Sequence, residues 1–201
     1  GYTLPSALAD LIDNSLTAGA KSIRVTVDSK SAGEHISVVD NGVGMNREQL
    51  VDAMRMGTKG PAPLRAASDL GRFGLGLKTA SLSQGRCLTV ISKTAGMKSP
   101  LVRRWDLRHI QSSGLWELFE DPTAVAAEYA KQVAAMKAGT AIVIEELDRP
   151  SFLRVSAGDV LSHLATALDA IRQHLSMVFH RFIEDGVEIR LGSTVLSAWD
   201  P

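Results

Sequence analysis

The stretch ADLIDNS, residues 9–15, lies inside the first helical pattern of the chain, and its two sides differ in chemistry. Leu8, Leu11, Ile12, Ser15 and Leu16 recur at a 3.6-residue period on one side, and Asp10, Asp13, Asn14 and Thr17 on the other. The pattern predicts a helix over residues 5–18, with Pro5 in its first turn and Gly19 closing it. Asp10 and Asn14 fall one turn apart on the polar side. A carboxylate there can orient or deprotonate a water. A carboxamide oxygen is a hard ligand suited to magnesium, which completes its shell with waters and substrate phosphates. A plain solvated helix face would carry the same residues, so this segment decides the fold only together with its neighbours.

Downstream, residues 22–28 (SIRVTVD) alternate as a strand, and residues 36–39 form a second strand that delivers Asp40 at its end. Small residues at 30–34 mark the turn between them. The run VVDNGVGM, residues 38–45, then places Gly42, Gly44 and Met45 after the carboxylate. A buried Asp40 could accept from an adenine amino group, and glycines let a flat base approach the backbone. Asp-Asn-Gly is also ordinary turn chemistry. Residues 46–56 read as a short helix capped by Asn46, with Glu48 in its first turn.

Residues 57–74 show no period, and a loop of that length in a compact domain is usually functional. It ends in GRFGLGLK, residues 71–78, where Gly71, Gly74 and Gly76 precede or open a helix expected over residues 75–82. Free amides at a helix start, aided by the helix dipole, form an anion site. Lys78 or Lys59 could add charge against phosphates. The spacing is neither Walker A nor the dinucleotide fingerprint.

Further strands are expected at residues 88–92, 101–105, 115–119 and 141–144, and an alanine-rich helix at 123–138. Gly139-Thr140 introduces the core strand, where a threonine hydroxyl can stand beside a buried aspartate and a water. A long helix over residues 159–182 and a hairpin of residues 187–191 and 194–196 around Gly192-Ser193 complete the pattern. A soft boundary near residues 150–158 suggests two units, 1–150 and 151–201.

The chain has 201 residues, with 22 basic and 22 acidic side chains, so no net charge pulls it toward nucleic acid or membrane. Its one cysteine, Cys87, lies in the apolar run CLTVIS and reads as a buried thiol suited to a reducing cytosol. No signal peptide and no bilayer-spanning apolar stretch is visible, so no membrane partner and a cytoplasmic location are expected. The five histidines form no metal-ligand pattern. Arg103, Arg104 and Arg108 cluster around Trp105, as a solvated strand edge or a DNA contact. The abrupt beginning at Gly1-Tyr2 and the ending after a strand suggest a piece of a longer protein.

Taken in order, Asp-x-x-x-Asn on a helix, Asp-x-Gly-x-Gly, Gly-x-x-Gly-x-Gly and Gly-Thr closely resemble the GHKL (Bergerat-fold) ATPase superfamily over residues 7–147. That superfamily includes gyrase-type topoisomerases, ninety-kilodalton heat-shock chaperones, histidine kinases, MutL and MORC proteins. The resemblance implies an α+β sandwich, a mixed and largely antiparallel sheet covered by helices on one face, followed by the start of a transducer-like domain. It implies ATP and Mg2+ as cofactors. Asn14 resembles the magnesium ligand, Asp40 the adenine-reading carboxylate and Thr140 its water-sharing companion. Gly42, Gly44 and Met45 resemble the pocket floor; Gly71, Arg72, Phe73, Gly74, Leu75 and Gly76 resemble the lid hinge that holds the phosphates.

Lys78 and the tail FHRFIEDGVEIRLGSTVLSAWDP lean toward the bacterial MORC-like branch, a fold-level analogy. Asp10 stands at the catalytic position, where the hydrolysing branches mostly carry glutamate. Aspartate is shorter by about 1.5 Å, and a misplacement of that size can cost roughly 100-fold in rate. Asp13 is the other carboxylate to consider, but a neighbour of Asn14 points about 100° away around the helix. The transducer lysine that reaches the terminal phosphate in the topoisomerase and MutL branches is expected to lie outside this chain. The resemblance thus implies slow hydrolysis that drives lid closure and clamping of a nucleotide-dependent homodimer, with a DNA or protein partner held through other domains. A nucleotide sensor with little turnover is the first alternative, and a histidine-kinase phosphotransfer domain the second.

Overall fold

The computed structural model describes residues 2–28, 34–55, 76–148 and 160–200. All of the expected turn at 30–34 but Glu34, the loop 57–74 with Lys59, the glycines at 71 and 74, and the boundary at 150–158 lie outside them. The first half comprises α1 (Leu4–Thr17), β1 (Ser22–Asp28), β2 (His35–Asp40), α2 (Arg47–Met54), α3 (Gly76–Leu82), β3 (Gly85–Lys93) and β4 (Leu101–Asp106). The second comprises α4 (Leu107–Ser113), α5 (Ala124–Ala135), β5 (Gly139–Leu147), α6 (Val160–Val178), α7 (His180–Glu184), β6 (Glu188–Leu191) and β7 (Thr194–Val195).

The strands form one sheet in the order β4-β3-β5-β2-β1-β6-β7. Every neighbouring pair is antiparallel except β1 with β6. The fold is therefore the mixed, largely antiparallel α+β arrangement that the motif order implies. Its helices fall on the two sides of the sheet unequally. Ile23, Val25, Ile36, Val38, Leu88, Val90, Ile142 and Ile144 join the main core with α1 (Leu4, Ala7, Leu8, Leu11, Ile12), α2 (Leu50, Met54), α3 (Ala80) and α6 (Ile171, Leu175). The alternate residues Val39, Ile91, Ala141 and Val143 face Ala126 and Val133 of α5 on the other side. Cover on both faces explains why every residue of β2 is buried, even His35 and Ser37, which alternate with Ile36 and Val38 and lie on the side facing α5.

Local chemistry sets the helix ends. Thr3 caps α1, accepting from the Ser6 amide, and Gly19 turns the chain away at φ +73. Asn46 and Gln49 form a reciprocal capping box on α2. Lys93 of β3 donates from Nζ to the carbonyls of Ala134 and Met136 at 2.6 and 2.8 Å, placing a cation at the end of α5. Tyr129 of α5 takes a hydrogen bond from Ser37 at 2.9 Å and meets His35 at 2.7 Å, fastening that helix to β2.

Two expected elements differ. The helix predicted over residues 159–182 is broken at Phe179, whose φ of −106 and ψ of 17 leave the helical region. The bend sends the Phe179 ring into the core, where it is fully buried. The strand predicted at 115–119 contributes only one bridge, Arg104 with Phe119. Ahead of it stands α4, capped by Asp106 and ended by Gly114 in the left-handed region. None of its residues is buried, so it has no apolar period to read. Among the described residues, no helix is long and apolar enough to cross a membrane.

Truncating the ring at the bend, Phe179→Ala, is expected to cost about 3–5 kcal/mol in urea unfolding. Val178→Ala, on the exposed side of the same turn, should cost under about 1 kcal/mol. Equal losses for the two would show that the bend is not held by burial of the ring.

Candidate functional site

The site is built on one row of the sheet. Asp40 ends β2 and pairs with Thr140 of β5, which pairs in turn with Ser92 of β3. Residues directly opposite in neighbouring strands project to the same face, here the side that carries α1. Helix α1 reaches this row through Ser15, whose Oγ donates to Asp40 Oδ2 at 2.9 Å. The Gly42 amide donates to Oδ1 at 2.8 Å. Asp40 is only 4% exposed. Burial pushes its carboxyl above the ordinary value of 3.8, while the Gly42 amide, the Ser15 hydroxyl and the Thr140 amide pull it back. The result is an acceptor-rich group held in low dielectric with lone pairs to spare.

The loop after Asp40 is shaped by close approach. Asn41 Oδ1 accepts from the amides of Lys21 and Ser22, both at 2.9 Å, and the Val43 amide donates to the Ala18 carbonyl at 3.0 Å. A Cβ on Gly42 would stand 2.8 Å from that carbonyl oxygen. Gly44 adopts φ +70, and a Cβ there would run into the Lys93 carbonyl. The loop is thus clamped between α1 and the end of β3 with no room for side chains at either glycine. Met45 follows, its amide donating to Ser92 Oγ at 2.8 Å. Ser92 Oγ also lies 2.8 Å from Thr140 Oγ1 and 3.3 Å from the Gly139 carbonyl.

On the outward side of α1, Asn14 is exposed and Asp10 is half-buried. The hydroxyl of Tyr2 donates to Asp10 Oδ2 at 2.7 Å. Burial and, secondarily, the Asp10 charge hold the Asp13 carboxyl above its usual value. Among the described residues, no three His, Cys, Asp or Glu side chains converge as a metal cage. The lone carboxamide of Asn14 suits a cation that takes most of its ligands from phosphates and water, as Mg2+ does.

The structure therefore gathers Asp40, Gly42, Gly44, Met45 and Thr140 at one end of β2, β3 and β5, and Ser15 ties the helix carrying Asn14 and Asp10 to them. Gly76 is exposed at the start of α3. Lys78 is buried beneath α2, with Nζ donating to the Ala53 carbonyl at 2.8 Å, and burial lowers its pKa. Gly71, Arg72, Phe73, Gly74 and Leu75 lie outside the described residues.

Sequence reasoning passed over three participants. Ser15 looked like part of the apolar face, although a hydroxyl among leucines was the signal. Ser92 shares the alternation of Leu88 and Val90, and only strand pairing brings it to Thr140. Tyr2 precedes the helical pattern altogether. The arginine cluster resolves into ion pairs: Arg103 with Glu120 at 2.7 Å, Arg104 with Asp106 at 3.0 Å and Arg108 with Glu146 at 2.7 Å. Cys87 is buried, its thiol pushed up to about 11 mainly by desolvation, which makes it a poor nucleophile.

Two variants test this geometry. The folded chain holds a proton on Asp40 more tightly than the unfolded chain does, so its contribution to stability falls as pH climbs from 3.8 through the folded value. Asp40→Asn keeps a partner for both Gly42 and Ser15 and removes the charge. It should melt above the parent at pH 7, with the gap closing toward pH 3; a lower melting point at pH 7 would contradict the burial argument. Gly44→Ala should lose at least about 2 kcal/mol by chemical denaturation, from the left-handed backbone and the clash with Lys93.

The family model described as histidine kinase-, DNA gyrase B- and HSP90-like ATPase matches residues 2–140. The chain is 29% identical over 97 residues to ATPase morc-1 of Caenorhabditis elegans, covering 48% of this chain and 11% of that protein. It is 33% identical over 95 residues to Protein MICRORCHIDIA 4 of Arabidopsis thaliana, covering 45% and 12%. It is 39% identical over 90 residues to the DNA mismatch repair protein MutL of Colwellia psychrerythraea, covering 44% and 14%. The matched part is thus a small fraction of each of these relatives.

Proposed function

The chain belongs to this histidine kinase-, DNA gyrase B- and HSP90-like ATPase family, and we propose that its Asp40 pocket binds ATP with Mg2+ and turns it over slowly. The observation that carries the reading is the Asp40 carboxylate. It is buried, restrained at both oxygens and flanked by backbone without side chains at Gly42 and Gly44. Such a group selects a ligand that donates an N–H from the edge of a flat ring, as the adenine amino group does. Thr140 stands beside it in register to hold a water against the base, and Met45 closes the floor. Asn14, one residue from the Ser15 anchor, supplies an oxygen for Mg2+. Bound Mg2+ would neutralise phosphate charge. The amides of Gly71, Arg72, Phe73, Gly74, Leu75 and Gly76 hold the phosphates in this reading, with Lys78 as a nearby cation.

Asp10 is the residue assigned to orient the attacking water. Its side chain is short for the task, which is why slow turnover is proposed. Nucleotide binding then drives closure of residues 57–74 as a lid, and the closed lid offers a surface that clamps a second copy. Work on DNA or a partner protein belongs to the rest of the molecule in this reading; the mismatch-repair role named for the MutL relative points in that direction. A second reading, a sensor with little turnover, is favoured by the Tyr2 hydroxyl that occupies one oxygen of Asp10.

Calorimetry with ATP and Mg2+ tests binding. Asp40→Ala should weaken it about 10- to 100-fold through loss of a charge-assisted hydrogen bond, and Asn14→Ala should remove its magnesium dependence. Single-turnover assays separate the two readings, with Asp10→Glu expected to raise the rate. If Asn14→Ala behaves as the parent and no magnesium-dependent phosphate appears, the ATPase mechanism is wrong.

A further inference from the structure

Ser92 is buried at the β3 end of the site's polar row, and its hydrogen bonds can be counted. A hydroxyl has one proton and two lone pairs. The Met45 amide at 2.8 Å occupies a lone pair. The single Ser92 proton must then go to the Gly139 carbonyl at 3.3 Å or to Thr140 Oγ1 at 2.8 Å. The first choice would make Thr140 donate to Ser92 and leave it only lone pairs for the pocket. The second leaves the Thr140 proton free to point at the pocket. The Gly139 carbonyl at 3.3 Å lies beyond the ordinary O–H···O range of about 2.5–3.0 Å, which favours the second, and all donors then run in one direction: Met45 N–H to Ser92, Ser92 O–H to Thr140, Thr140 O–H outward. Aligned donors strengthen one another.

We propose that Ser92 is a positioning residue that sets the direction of the Thr140 hydroxyl proton and, through it, the preference for a 6-aminopurine over a 6-oxopurine. This rests on the Asp40 pocket being the nucleotide site. Asp40 offers only acceptors, and Thr140 beside it offers a donor, directly or through one water. Adenine presents the complement, an amino donor at C6 and an acceptor at N1. Guanine presents an acceptor at C6 and a donor at N1, so it meets like groups at both places. Asp40 rejects the oxo group by itself; the Ser92 relay adds the second half of the discrimination. The Met45 amide makes the relay part of the pocket, because the same hydrogen bond that polarises Ser92 docks the glycine loop on β3.

The experiment is equilibrium binding of ATP and of GTP, each with Mg2+, to the 201-residue chain and its variants. The parent should prefer ATP, and Ser92→Ala should shrink that preference about tenfold, the size of one lost hydrogen bond. Ser92→Cys fills the same space with a weak donor, so it should shrink the preference as well, and it decides the matter if Ser92→Ala melts too low to assay. Adding Ser92→Ala to Thr140→Val should change the preference no further, since Ser92 acts through that hydroxyl. An unchanged ATP-to-GTP ratio in Ser92→Ala and Ser92→Cys, or additive losses in the double variant, overturns the Ser92 assignment and leaves the pocket reading standing. A parent chain that binds neither nucleotide overturns the pocket reading itself.

Discussion

A charged carboxylate held out of water at the end of a strand is the constraint from which the site follows. An ionised group in that position is costly unless donors are brought to it. At Asp40 they come from two directions, the Ser15 hydroxyl of α1 and the Gly42 amide of the following loop. The first fixes where α1 lies over the sheet, and hence where Asn14 and Asp10 stand. The second bends the chain back on itself and keeps a side chain from position 42. Helix α1, the glycine loop and the sheet are thus linked through one acceptor.

The sheet makes this tenable by being covered unequally. The main core presses α1, α2, α3 and α6 on one face, while α5 covers the middle strands on the other. The strands carrying Asp40, Thr140 and Ser92 are therefore buried on both sides, where a hydrogen bond is electrostatically stronger than at a wet surface. Lys93, next to Ser92, spends its charge on the end of α5, so the second layer and the pocket floor meet at adjacent residues of one strand. On the other side of β2 from β5, strands β1 and β6 bear Arg24, Glu188 and Arg190.

Much of this was legible beforehand, for reasons that can be stated. The α1 period, the Asn46 cap, the Gly19 stop and the Gly192-Ser193 hairpin are local signals, and local signals survive in any fold. The Asp40 and Thr140 positions were legible because a polar residue at the edge of an apolar strand is conspicuous. Ser92 was not, since its meaning depends on which strand lies beside it, a non-local fact. Phe179 was missed because a helical period runs on through the bend, and only the core behind it explains the break. The strand at 115–119 was overread: alternation without a partner ladder is not a strand, and the Asp106 and Gly114 punctuation of α4 was there to be weighed instead.

Lys78 and Trp105 lend a different property to the chain. Lys78 donates to the Ala53 carbonyl at 2.8 Å and Trp105 Nε1 to the Met54 carbonyl at 2.7 Å, so the end of α2 is fastened to α3 and to β4. The chain leaves for residues 56–75 from one side of that clasp and returns on the other. The clasp therefore sets the relation of Arg55 to Gly76 through α2, α3 and β4 themselves.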